Sequence, residues 1–109
     1  MAHTVLLTAG AERDLAEIVE YIAEFDSPTN AIRVLDKLVS VTESLADFPE
    51  RGSHLRELLA LGIREFRQVF FKPYRLIYSS TVNTVYVHLI ADGRRDMQAL
   101  LQRRLIADP

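Results

Sequence analysis

Hydrophobic positions repeat with two different periods along the chain, and the switches between them mark out the elements. At positions 3 to 8, HTVLLT, Val5 and Leu7 share one face of a short strand, and Ala9-Gly10 then turns the chain. From Ala11 the period lengthens. Leu15, Ile18, Val19, Ile22 and Phe25 fall at helical spacing, with Glu12 and Asp14 in the first turn, where carboxylates favour the helix dipole.

Ser27-Pro28 opens a second helix after a very short connection, Ser27 as its cap and Pro28 at the first helical position. Ala31, Leu35, Leu38, Val41, Leu45 and Phe48 form its apolar stripe, and Phe48-Pro49 ends it. Two helices joined this tightly pack as an antiparallel hairpin. Positions 50 to 62, ERGSHLRELLALG, lack either period and read as an irregular connection with one helical turn.

Beyond Gly62 the signal is strand-like. IREFRQVFF (63 to 71), YRLIYSS (74 to 80) and TVYVHLIA (84 to 91) are rich in β-branched and aromatic residues and separated by short links, which predicts an antiparallel meander. Strict alternation in the last strand puts Val85, Val87, Leu89 and Ala91 on one face, and Tyr86, His88 and Ile90 on the other. After Asp92-Gly93, Met97, Leu100, Leu101 and Leu105 return to helical spacing in a terminal helix with a basic end, and Asp96 is placed to cap it. The predicted fold class is α+β, in the order β-α-α-β-β-β-α. A meander sheet packs against the N-terminal helix hairpin, and its other face is only partly covered.

Composition changes this picture in three ways. At 109 residues with 49% hydrophobic and 26% charged side chains, the chain suits one globular domain spanning 1–109. With 0 Cys and 3 scattered His, disulfides, thiolate zinc and cysteine nucleophiles are excluded, and neither metal nor cofactor is expected. The apolar run near the N-terminus is too short to span a membrane and has no basic stretch before it, so a cytoplasmic protein without membrane partners is expected. The net charge of -2 conceals an asymmetry. The first fifty residues carry 3 basic and 10 acidic side chains, a net of -7; the remainder carry 10 and 5, a net of +5. Such polarity suits different partners on different faces.

Candidate chemistry lies in the sheet. If the helices cover the more apolar face, Arg75, Tyr86 and His88 line the opposite, open face, with Arg94 and Arg95 at its rim. Three readings are open: a nucleic-acid surface on which guanidiniums meet phosphates and Tyr86 stacks, a groove whose arginines anchor a partner's carboxylates, or ordinary structural residues with Arg75 paired to Glu65 or Asp92. A Gly-rich phosphate loop and a G-x-S-x-G elbow are both missing. The carboxylates sit on the solvent sides of the two helices rather than in an acid/base pair.

The element order together with YRLIYSSTVNTVYVHLIADGRRD resembles the ParE/RelE superfamily of toxins from bacterial type II toxin-antitoxin modules. The resemblance takes in the opening strand, the E-x-D-L-x-x-I-x-x-Y-I spacing from Glu12 to Ile22, the Y-R-x-x-Y strand, the V-x-V strand and the closing G-R-R-D. It implies one of two mechanisms, because fold does not choose between them. RelE-like members cleave mRNA on the ribosome with a Lys/Arg cluster and a Tyr or His near the C-terminus; here that reading would rest on Arg75, His88, Arg94 and Arg95. The chain has Arg56, Arg64 and Arg67 but no lysine pair, and its terminal helix contains neither Tyr nor His. Arginine stays protonated and is a poor general base. ParE-like members inhibit DNA gyrase, and the R-R-D followed by a leucine-rich helix resembles that branch. A ParE-like toxin implies a cognate ParD-like antitoxin of ribbon-helix-helix type, with operator DNA contacted through the antitoxin. The residues assigned to partner binding are Arg67, Arg75, Tyr86, Arg94, Arg95, Leu15, Ile22 and Leu38. An inactive, antitoxin-binding module is the remaining implication.

Overall fold

A computed structural model of the chain describes residues 2–106. Strand β1 (Thr4–Leu7) leads into helix α1 (Ala9–Phe25), which starts where the Thr8 hydroxyl accepts the Ala11 N–H at 3.2 Å. Helix α2 (Pro28–Ser44) begins at the Ser27–Pro28 signal, with the Ser27 hydroxyl accepting the Asn30 N–H at 3.0 Å. It stops a turn short of the expected Phe48-Pro49. The hydroxyls of Thr42 and Ser44 donate to the carbonyls of Val39 and Val41, which loosens the last turn. Leu45 already closes the core, and Phe48 is exposed. The two helices pack against each other as a hairpin.

The rest of the chain comprises β2 (Ser53–His54), α3 (Arg56–Leu59), β3 (Arg67–Phe71), β4 (Tyr74–Ser80), β5 (Thr84–Asp92), α4 (Met97–Leu101) and a π-helical turn over Gln102–Ile106. The five strands form one sheet in the order β1-β5-β4-β3-β2. Strands β3, β4 and β5 make the predicted antiparallel meander. Strand β1 joins β5 in parallel, so the sheet is mixed; the helix hairpin carries the chain from this edge to the β2 edge, and the meander returns it to β5. Two-residue β2 was hidden in the irregular connection. It is held in place when the buried Gly52 N–H donates to the Tyr78 hydroxyl at 3.0 Å and Arg67 donates to the Gly52 carbonyl at 2.8 Å. Gly52 fits because a Cβ there would lie 2.5 Å from the Gln68 carbonyl oxygen.

One irregularity corrects the predicted strand faces. Ile77 pairs with Leu89 but Tyr78 pairs with Val87, so His88 is an extra residue in β5, a bulge. Alternation is reset there. Val85, Val87 and Ile90 face the helix hairpin, in a core with Leu38, Leu45, Leu76 and Tyr78. Leu89 and Ala91 face the other way with Ile77, where Leu55, Leu58, Met97, Leu100 and Leu101 cover them. Ile63 and Phe66, read as strand, pack into this second core instead. The second face of the sheet is therefore covered by α3 and α4, and the molecule has three layers. No helix among the described residues is long and apolar enough to cross a membrane.

Candidate partner-binding groove

Covering the second face disperses the basic surface expected from the sequence. Arg75 does point to that face, but its Nη1 and Nη2 donate to Glu57 at 3.0 and 3.1 Å and its Nε donates to Gln68 at 2.8 Å. The partner is thus Glu57, not Glu65 or Asp92, and the bidentate hydrogen bonds hold the Glu57 carboxyl below its ordinary range. Arg67 lies on the opposite face, bound to the Gly52 carbonyl. Tyr86 is partly exposed beside Leu6, its neighbour on β1. Leu38 is wholly buried, so it offers no surface to a partner, and Leu15 packs on the same core.

His88 sits at the bulge with Nε2 2.7 Å from the Ser79 hydroxyl and its ring edge-on to Phe66. Burial pushes its imidazole below the ordinary histidine range, with Glu65 pulling weakly upward. A histidine depressed in the folded state supports the fold above its unfolded pKa of about 6.5 and withdraws that support as the pH falls through the folded value. The thermal midpoint should therefore drop on acidification from about pH 7.5 to about 5.5, before the carboxylates titrate, and His88→Gln should flatten the drop. An unchanged pH profile in the variant would assign the drop to other groups.

Arg94 and Arg95 do meet other predicted residues. At the end of β5, Asp92 accepts the Arg94 backbone N–H and Nε, each at 2.9 Å, which holds the Asp92 carboxyl below its ordinary range. Asp96 caps α4 through the Ala99 N–H at 3.1 Å, as expected. Arg95 makes no ion pair among the described residues. Between these arginines and α1 lies a cleft of about 590 Å³, with Ile18, Tyr21, Ile22 and Tyr74 in its walls. A second cleft of about 430 Å³ shares Tyr21, Ile22 and Tyr74 and continues to Phe25, Arg33 and Lys72. The two share an aromatic floor, with Arg94 and Arg95 at one end and Arg33 and Lys72 at the other, and Glu17 and Asp26 stand among these cations.

Tyr21 and Phe25 are 65% and 68% exposed, with ring centroids 4.7 Å apart. They stand one helical turn apart, Tyr21 on the flank of the buried stripe and Phe25 at the last position of α1. Phe25 was expected in the core; the pairing of two aromatics at i and i+4 was the available sign of an exposed anchor. Burial raises the Tyr74 phenol above its ordinary value, assisted by Asp92, so it remains a hydrogen-bond donor. The groove lining contains no histidine. It offers aromatic area, a phenol donor and guanidinium groups beside the carboxylates of Glu17 and Asp26.

Two residues outside the sequence prediction hold the walls together. Asp14 Oδ2 accepts the Ile90 N–H at 3.0 Å just past the bulge, and both Asp14 oxygens accept from Arg104 at 3.0 Å. Arg104 also donates to the His88 carbonyl at 3.2 Å. Backbone groups near the bulge are thereby satisfied by side chains from α1 and the π-helical turn. Arg104 passes so close to Gly10 that a Cβ there would lie 2.6 Å from its Nη2.

The sequence profile of the ParE toxin of the type II toxin-antitoxin system parDE matches residues 5–97. The chain belongs to the ParE toxin family. The match runs from β1 to the first residue of α4 and includes every residue of the groove. No curated protein matches the sequence. Among solved structures, the chain is similar to one from the chromosomal ParDE system of P. aeruginosa, with TM-score 0.69 and 14% identity over 84% of this chain and 96% of that one. It is also similar to one from the toxin-antitoxin complex RelBE2 of Mycobacterium tuberculosis, with TM-score 0.62 and 25% identity over 84% of this chain and 99% of that one. The ParE/RelE fold expected from the sequence is the fold observed.

Proposed function

We propose that this ParE-family toxin acts by gripping proteins: it inhibits DNA gyrase by contact, and a cognate antitoxin neutralises it by occupying the Tyr21–Tyr74 groove. The reading rests chiefly on Arg75. A nuclease would need its guanidinium free for the scissile phosphate and a proton-transfer group nearby. Arg75 is committed to Glu57 and Gln68; His88 does not line the Arg75 cleft, and His54, which does, turns its Nδ1 to the Phe66 carbonyl at 3.4 Å. The family and the two similar structures, both from toxin-antitoxin systems, support an antitoxin as partner. A helix or extended segment bearing apolar side chains and carboxylates would fit the groove. A ribbon-helix-helix antitoxin would make the operator contacts on behalf of both proteins.

The test is induction of the toxin alone, with plasmid supercoiling by purified gyrase and integrity of translated mRNA followed in parallel. Lost supercoiling with intact mRNA is expected. Cleaved mRNA with normal supercoiling would overturn the reading in favour of a RelE-like endonuclease.

A further inference from the structure

The β5 bulge brings together two side chains that neither gyrase inhibition nor antitoxin binding uses. Ser79 on β4 and His88 meet Oγ to Nε2 at 2.7 Å, and neither lines the groove or the Arg75 cleft. Both are only half-buried, at the β1 end of the second sheet face, where Leu6 and Tyr86 are left exposed.

The imidazole is fixed from several sides. The His88 carbonyl accepts from the Thr8 hydroxyl at 3.4 Å and from Arg104 at 3.2 Å, and the ring stands edge-on to Phe66 with centroids 5.3 Å apart. Bulges re-aim side chains in this way beside active sites. An imidazole that accepts from serine through Nε2 carries its proton on Nδ1 and is neutral, the form that burial favours here. Of the charged groups around it, Glu65 ahead of β3 opposes that weakly, while Arg104 on the π-helical turn and Asp14 on α1 are bound to each other. A hydroxyl within hydrogen-bond reach of an oriented neutral base is an activated nucleophile. We propose that Ser79 is an acyl-acceptor site: its Oγ takes a short acyl group from an activated ester or thioester, His88 acts as general base, and the rings of Phe66 and Tyr86 beside His88 offer the acyl chain apolar surface. The bond from Oγ to the carbonyl carbon forms, the bond from that carbon to the leaving oxygen or sulfur breaks, and the hydroxyl proton passes through Nε2 to the leaving group. The inference does not rest on gyrase being the target.

The test is incubation of the full chain with p-nitrophenyl acetate, followed by mass spectrometry of its peptides. An acetyl group on Ser79 is expected, formed faster as the pH rises through the folded His88 value and at a level rate above it. His88→Gln should slow labelling of Ser79 by about a hundredfold or more. The neighbouring Ser80 is exposed and serves as the internal comparison. The pH profile of the native chain carries the test even where His88→Gln loosens the fold. Acetyl groups confined to lysines and the N-terminus, Ser79 labelled no faster than Ser80, or a Ser79 rate indifferent to His88→Gln would overturn the proposal.

Discussion

Asp14→Ala should shift the urea unfolding midpoint to lower concentration, with a stability loss of about 3 kcal/mol. Two effects combine. The Ile90 N–H loses its acceptor next to a bulge where no strand can replace it, at about 1–3 kcal/mol for an orphaned buried donor. Arg104 loses both partners of its fork while still facing the His88 carbonyl. Breaking a buried pair by removing one member costs about 3–5 kcal/mol. The side chain of Arg104 is 25% exposed and that of Asp14 12%, so the pair contributes less than that full range. Arg104→Met should be milder, because Asp14 keeps the Ile90 bond and the methionine stem still covers α1. Hydrogen exchange at the Ile90 amide should accelerate in Asp14→Ala beyond the global change. A loss below about 1 kcal/mol would make this an ordinary surface pair.

The same residues show where sequence reasoning stops. Helix starts were legible because capping is local: Ser27-Pro28 and Asp96 carry their signal within three residues. Strands β4 and β5 were legible because β-branched and aromatic residues crowd into short runs. The bulge was not, since the apolar run Leu89-Ile90-Ala91 fits either face and only the pairing with β4 shows that His88 is surplus. Once missed, it reversed the expected side for Leu89, Ala91 and Ile90. A face expected to be open then turned out to be the floor of a second core. Asp14 and Arg104 lie 90 positions apart, and each looks like a solvated helix charge until the chain is folded. Glu57 sits in a segment with no period, so nothing announced it as the partner of Arg75. Arg94, Arg95 and Ile22 come together in one cleft because a turn fixes the first two at a sheet end and periodicity fixes the third on α1. Tyr21, which faces them across the groove, fell outside the apolar stripe used to find the core.

Tyr21→Ala should weaken antitoxin binding by about 2 kcal/mol, roughly thirtyfold, while changing the toxin's own stability by less than about 0.5 kcal/mol. Large rigid aromatics with a polar tip are the side chains that dominate interfaces, and Tyr21 is shared by both halves of the groove. Its exposure separates binding from folding: Leu38→Ala, wholly buried, should cost about 2–5 kcal/mol of stability, and its binding loss would be indirect. Arg95→Glu should act differently. It lies exposed at the rim, so it should slow association with an acidic segment and flatten the salt dependence more than it speeds dissociation. Biolayer interferometry with the purified antitoxin at two salt concentrations separates these effects, and thermal melts confirm the fold of each variant. Antitoxin affinity within about threefold of the native value for Tyr21→Ala would remove the groove from the interface. The expected loss has a cellular counterpart that in vitro binding alone does not supply. A toxin freed from its antitoxin but unaltered at its target should arrest growth even with the antitoxin co-expressed, and growth that continues normally would mean that Tyr21 serves the target contact as well.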